Sequence, residues 1–287
     1  MASSVTGKDQ AGAAALLDGL NQLRLRGARG GVIRQHRAMI GLRWTPSRVI
    51  RAVSLSVFWL AIVIMALPWL GRGYAAFYEE IVWWVGLPAG VGVHSLQIGN
   101  LYTVGIPYFR IESVWPEQVH WLVVGGLTVL AVALSFALPD RFLPARYFLR
   151  FLAMVQSVSL GWFAFASPPF LYPLPGYTAG LMTAGLAVLT LIPVVLGFAF
   201  YIFDHSLRQQ LALTVMLLLH IAVFLPVQVL IHAWLAHYLS ALVQPTLFFI
   251  FGLLLEVLVF VAFYGWAMSW QGTEIPASTP PPMGRKP

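Results

Sequence analysis

The chain has no cysteine at all, and only 9 % of its 287 residues are charged. Without cysteine there is no disulfide framework, no thiolate nucleophile and no cysteine-ligated metal. A soluble domain carries charge on about a quarter of its residues, so an ordinary water-facing surface is excluded too. A Walker-type glycine loop, HExxH, GxSxG and histidine boxes are all missing. The chain therefore lacks the common signatures of nucleotide hydrolysis, zinc proteolysis and serine hydrolysis. No cleavable leader is predicted, because the first apolar run starts near Val49 after a long basic lead and ends in no small-residue cleavage site.

What fills the chain instead is apolar. Hydrophobic residues make up 59 % of it, and the mean hydropathy is +0.80. Windows of about 20 apolar residues recur, the length a helix needs to cross a ~30 Å hydrocarbon core. Lipid offers the backbone no partners, which leaves helices or closed barrels as spanning structures. The runs are too continuous for barrel strands of about 10 alternating residues. The expected fold is all-α and polytopic, with six spans near Val49–Gly71, Val119–Leu138, Arg146–Ala166, Thr178–Phe203, Leu211–Ile231 and Thr246–Met268. Proline- and charge-bearing connections such as "PDRFLPARYFL" and "SPPFLYPLPGY" separate them.

Basic residues set the expected orientation. The isoelectric point near 10.0 does not indicate nucleic acid, because the charge gathers beside the apolar spans, where it sets topology and meets anionic headgroups. Fifteen of the 17 Lys and Arg residues fall on the side of the termini; only Arg72 and Arg110 fall opposite, with Glu79, Glu80, Glu112 and Glu117. Both termini are predicted to be cytoplasmic, which fits a bacterial inner membrane. Residues 1–48 form a basic lead containing the short amphipathic stretch "LLDGLNQLRLRG", which suits anionic lipid or a cytoplasmic protein partner. Residues 49–271 form the membrane domain, and the proline-rich tail 272–287 is predicted to be disordered.

The loop 72–118 is the sizeable external piece. "YEEIVWWVG" reads as a short interfacial helix with Trp83 and Trp84 at headgroup level. "HSLQIGNLYTVGIPYFRIESV" is rich in β-branched and aromatic residues around Gly99-Asn100, which predicts a small β-hairpin. A lone hairpin is marginal in water, so it is expected to pack on the membrane domain or on a partner.

A few polar side chains interrupt the spans. Gln156, His220 and Glu256 lie near the centres of spans three, five and six, and Thr128 and Thr190 near those of two and four. An ionisable group at that depth costs at least ~2.5–3.5 kcal/mol, so these groups should face inward and pair. At 100° per residue, Phe249, Gly252, Glu256, Phe260 and Phe263 share a face, with Gly252 giving a neighbour room. His220, Gln228 and His232 lie within about 120° of arc in span five. Glu256, His220, Gln156 and Gln228 are the expected midplane polar site, with His220 and Glu256 interacting directly or through a water.

A second constellation, His94, His120, His232 and His237 with Glu112 and Glu117, falls on the external side. His120, His232, Glu112 and Glu117 are candidate acid/base residues. His232 and His237 are five apart and cannot chelate a metal from one regular helix, so neither a metal nor another cofactor is expected. The leading expectation is a subunit of a transport, translocation or envelope-assembly complex. The alternative is a membrane-embedded enzyme acting on a lipid-linked substrate at the external face.

Overall fold

A computed structural model of the chain describes residues 46–98, 102–112, 114–165, 172–202 and 206–268. The basic lead up to residue 45, the expected Gly99-Asn100 turn of the hairpin and the tail from 269 lie outside the described residues. The elements are α1 (Pro46–Trp84), β1 (Gly90–Ile98), β2 (Tyr102–Arg110), α2 (Gln118–Ala137), α3 (Leu143–Phe165), α4 (Leu174–Ile202), α5 (Leu207–Tyr238), α6 (Gln244–Phe248) and α7 (Leu254–Met268). Short 3₁₀ turns precede α3 and α6, and a π-turn, Phe249–Leu253, joins α6 to α7. Six helical segments are long and apolar enough to cross a membrane, the last counted across α6, the π-turn and α7. The chain is an integral membrane protein.

Sequence and structure differ first at α1. It does not stop at Gly71 to begin again as an interfacial helix; it runs 39 residues without a break. Pro68 removes the backbone donor that would meet the Ile64 carbonyl, yet the turns continue through it; Arg72 Nε adds a bond to the Pro68 carbonyl at 3.3 Å. At 1.5 Å per residue α1 is about 58 Å long, nearly twice a ~30 Å hydrocarbon core. A second proline is compensated, from outside its helix. Pro226 in α5 leaves the Ala222 carbonyl without its usual donor, and the Tyr74 hydroxyl of α1 donates to it at 2.7 Å. One turn on, Tyr78 donates to the Pro226 carbonyl at 3.0 Å. Ser56 likewise donates to the Pro193 carbonyl of α4.

Helix ends are closed by short-range bonds. Ser206 and Gln209 form a capping box at the start of α5, as do Glu117 and His120 at the start of α2. Arg146 braces the α2–α3 turn: its Nη2 donates to the Leu138 carbonyl at 2.9 Å and its Nε to the Ser135 carbonyl at 3.1 Å. Its Nη1 also meets the exposed Asp140 carboxylate at 2.9 Å. Satisfying the orphan carbonyls contributes more than that exposed ion pair.

The buried apolar residues fall into two clusters. One joins α1, both strands, α4, α5 and α7 around Tyr78, Phe109, Met182, Leu217 and Ile221. The other holds α2 and α3 against the α5–α6 connection through Val124, Phe163, Leu242 and Leu247.

β1 and β2 pair antiparallel from Gly90↔Arg110 to Ile98↔Tyr102. Val104, Ile106, Phe109 and Ile111 are buried against the helices. The hairpin does not extend beyond the end of α1 but folds back beside it. Phe109 meets Tyr78 with ring centroids 4.5 Å apart, and its N–H donates to Thr178 Oγ1 of α4 at 3.3 Å. The Gly105 carbonyl abuts Gly71, and Val104 shares a cavity lining with Leu60 and Leu67. The step from Val104 to Phe109 covers about 17 Å of strand. Leu67 to Tyr78 covers about 16.5 Å of helix, so strand and helix run side by side.

Candidate functional site

The last apolar segment is broken where its neighbours carry polar side chains. Gly252 has φ −92° and ψ −117°, outside helical values, inside the π-turn between α6 and α7. Such a break frees backbone carbonyls, which a membrane interior cannot hydrate. Gln228 of α5 supplies the donor: its Nε2 bonds to the Phe251 carbonyl and, at 3.4 Å, to that of Gly252. A Cβ on Gly252 would lie 3.6 Å from Leu181 Cδ1 of α4, so the break sits at the junction of α4, α5 and α7.

Glu256 follows one turn after the break. It is 4 % exposed, and neither carboxylate oxygen has a hydrogen-bond partner. Gln228 is equally buried, and its Oε1 is unpartnered while its Nε2 is used. His232, four residues beyond Gln228 on the same face of α5, shares a 2.8 Å hydrogen bond between its Nδ1 and the Tyr177 hydroxyl of α4. Tyr177 and His232 rings also stack, with centroids 6.1 Å apart. Tyr177, His232, Gln228, the Gly252 break and Glu256 thus follow one another along the α4–α5–α7 junction. Glu256 and Gln228 present acceptor oxygens without donors. A low-dielectric junction of that kind attracts a proton, a cation or a ligand rich in N–H or O–H groups.

The structure does not assemble the expected midplane set. His220 is half-buried between aromatic rings, stacked on Phe224 at 5.4 Å and tilted against Phe263 at 5.3 Å. Its Nε2 is unpartnered, and because both Glu256 oxygens are too, the expected direct hydrogen bond between them is absent. The register of α5 on α7 explains why. Gln228 meets Phe251 and Gly252 while His220 meets Phe263, which sets Glu256 opposite residues 224–227. That is about 6–10 Å along α5 from His220.

Gln156 belongs to the other cluster. Its Nε2 donates to the Leu242 carbonyl at 2.9 Å and its Oε1 accepts from Thr246 at 2.6 Å, while Ser159 donates to the same Leu242 carbonyl at 2.6 Å. Both its polar atoms are engaged, and they fix α3 to the start of α6. Thr128 and Thr190 donate to carbonyls of their own helices, those of Val124 and Leu186.

Of the four acid/base candidates only Glu117 and His120 meet, and they do so in capping α2. His120 Nδ1 accepts from the Glu117 N–H at 3.1 Å and is occupied in capping α2. Glu112 is exposed in the segment before α2, and His232 is buried against Tyr177. Among the described residues no group of three or more His, Asp or Glu side chains is placed to hold a metal.

Sequence reading missed Tyr177 and the break itself. The signal for the break was there: a glycine inside "FIFGLLLE" can mark a helix interruption as well as a close approach. Tyr177 carried none, because its role depends on which face of α4 meets His232. No family model matches the chain, and no curated protein or solved structure does so either.

Proposed function

We propose that the chain is a subunit of a transport, translocation or envelope-assembly complex in a bacterial inner membrane, with its polar site at the break in the last span. One observation carries this reading: a buried carboxylate, Glu256, stands without a partner one turn after a non-helical glycine whose carbonyls a neighbouring helix must satisfy. Interrupted helices next to intramembrane acids are a common way to build ion, proton or polar-substrate sites. A carboxylate retained only to join helices would be hydrogen-bonded, as Gln156 is. Lacking a nucleotide-binding loop, the chain would draw energy from a gradient or a partner, and the basic lead offers such a partner a cytoplasmic docking point.

The test is complementation of a deletion strain. Glu256→Gln keeps the shape and removes the charge; it should insert and purify normally and lose activity. Glu256→Leu should do the same. Full activity in Glu256→Gln would make the carboxylate dispensable and remove the basis of the reading.

A further inference from the structure

β1 is an open strand in a place where an open strand is hard to keep. Among the described residues it has one strand neighbour, β2; β2 packs on α1 and α4, and β1 touches α1. Val93 to Gln97 are exposed without interruption, with Leu96 at the rim of the cavity it shares with Leu60 and Leu67. Natural sheets guard such edges with lysine, proline, a bulge or a very short strand. β1 is nine residues long, has no Lys, Arg, Asp, Glu or Pro, and pairs with β2 in unbroken register. Its outer side presents a row of backbone donors and acceptors with nothing to discourage pairing.

The position makes this sharper. Measured from Arg51, the last basic residue before the apolar part of α1, Gly71 lies about 30 Å along the helix axis, the full thickness of a hydrocarbon core. Gly71 abuts Gly105, which pairs with Ser95, and the ladder continues from there toward Leu60. The closed half of the hairpin is therefore level with the apolar segment of α1. Lipid cannot satisfy a strand edge at that depth. A spanning helix cannot either, since its backbone groups bond internally. What fits is another extended chain.

We propose that the outer edge of β1 is the docking site for an extended, uncharged segment of a different membrane protein, which adds to β1 as a third strand. Symmetry argues against a second copy of this chain. Two copies lying the same way up are related by an axis along the membrane normal, and β1 runs beside α1, a helix long enough to cross the membrane. The two β1 strands would then be parallel. In a parallel pair, residues directly opposite differ in which of them points its backbone groups at the partner, so two identical edges cannot bond symmetrically in register. A heterologous strand has no such restriction. Backbone bonds would supply attachment, and alternate side chains beside Val93 and Leu96 would supply selectivity.

The absence of native cysteine gives a clean test on the full chain in its own membranes. Ser95→Cys and Gln97→Cys, each carrying a thiol-linked photo-crosslinker, probe the edge; Val129→Cys, exposed on α2, is the control. Both β1 probes should yield one discrete adduct with the same heterologous polypeptide, and the control should not. Moving the probe by two residues should move the attachment point by two residues on the partner, the signature of paired strands. Amide exchange of β1 should also be at least tenfold slower in native membranes than in the detergent-purified chain. Adducts only between copies of this chain, adducts only with lipid, an attachment point that does not step with the probe, or equal exchange rates would each overturn the proposal. None of these readouts depends on the activity of Glu256.

Discussion

A methyl group on Gly71 would collide with the Gly105 carbonyl oxygen, while one on Gly73, a half-turn away, would meet nothing within 4 Å. The colliding atom is backbone, so relief requires the hairpin to shift. Gly71→Ala should therefore destabilise the detergent-solubilised protein by about 1–3 kcal/mol, whereas Gly73→Ala should be neutral or stabilising by about 0.5–1 kcal/mol through helix propensity. Thermal unfolding of the two variants side by side checks this, and equal melting points would mean that the close approach does not form. A second contrast concerns two buried polar groups. Gln156→Leu strands the Thr246 hydroxyl, leaves the Leu242 carbonyl to Ser159 alone, and should cost about 1–3 kcal/mol. Glu256→Leu removes a carboxylate with no partner and should raise the melting point even as activity is lost. The sequence identifies both residues as costly. It does not tell which of them is paired, because hydropathy registers the presence of a polar group and not the register of the helix facing it.

At the scale of elements, six apolar segments were legible because each carries its own length and composition, and these depend on no neighbour. What was not legible were boundaries and breaks that neighbours decide. Nothing after Gly71 stops α1, so charged Glu79 and Glu80 ride out on the same helix as the apolar run. The interruption at Gly252 persists because Gln228 bonds to the carbonyls it frees. Gln228→Leu should cost about 1–3 kcal/mol for the stranded carbonyls and speed amide exchange across residues 249–256 more than elsewhere. A uniform change in exchange along the chain would show that Gln228 does not stabilise the break in particular. Tyr74→Phe should cost about 1 kcal/mol, since it removes the donor that replaces the missing Pro226 N–H at Ala222.

For the molecule as a whole, the orientation we propose rests on the 15-to-2 split of basic residues between the two sets of connections. Reporter fusions after Gly30 and Gln210 should register as cytoplasmic, and one at Gly99 as external. A cytoplasmic signal at Gly99 would reverse the assignment of every connection. The sequence also led us to expect Gln156 in one midplane site with Glu256, His220 and Gln228. The structure sets Gln156 apart from the other three, because α2 and α3 rest on the α5–α6 connection and not on the bundle of α1, α4, α5 and α7.

The place of the hairpin also governs timing. Phe109 rests on Thr178, 69 positions later in the chain. At about 5–20 residues per second, synthesis takes roughly 3–14 s to cover that distance. A β-hairpin closes within about 10 μs. The two strands are thus made and able to pair seconds before α4 exists, when their apolar face has only α1 to lean on and the hairpin by itself is marginal. Arrival of α4, with Thr178, completes their seat.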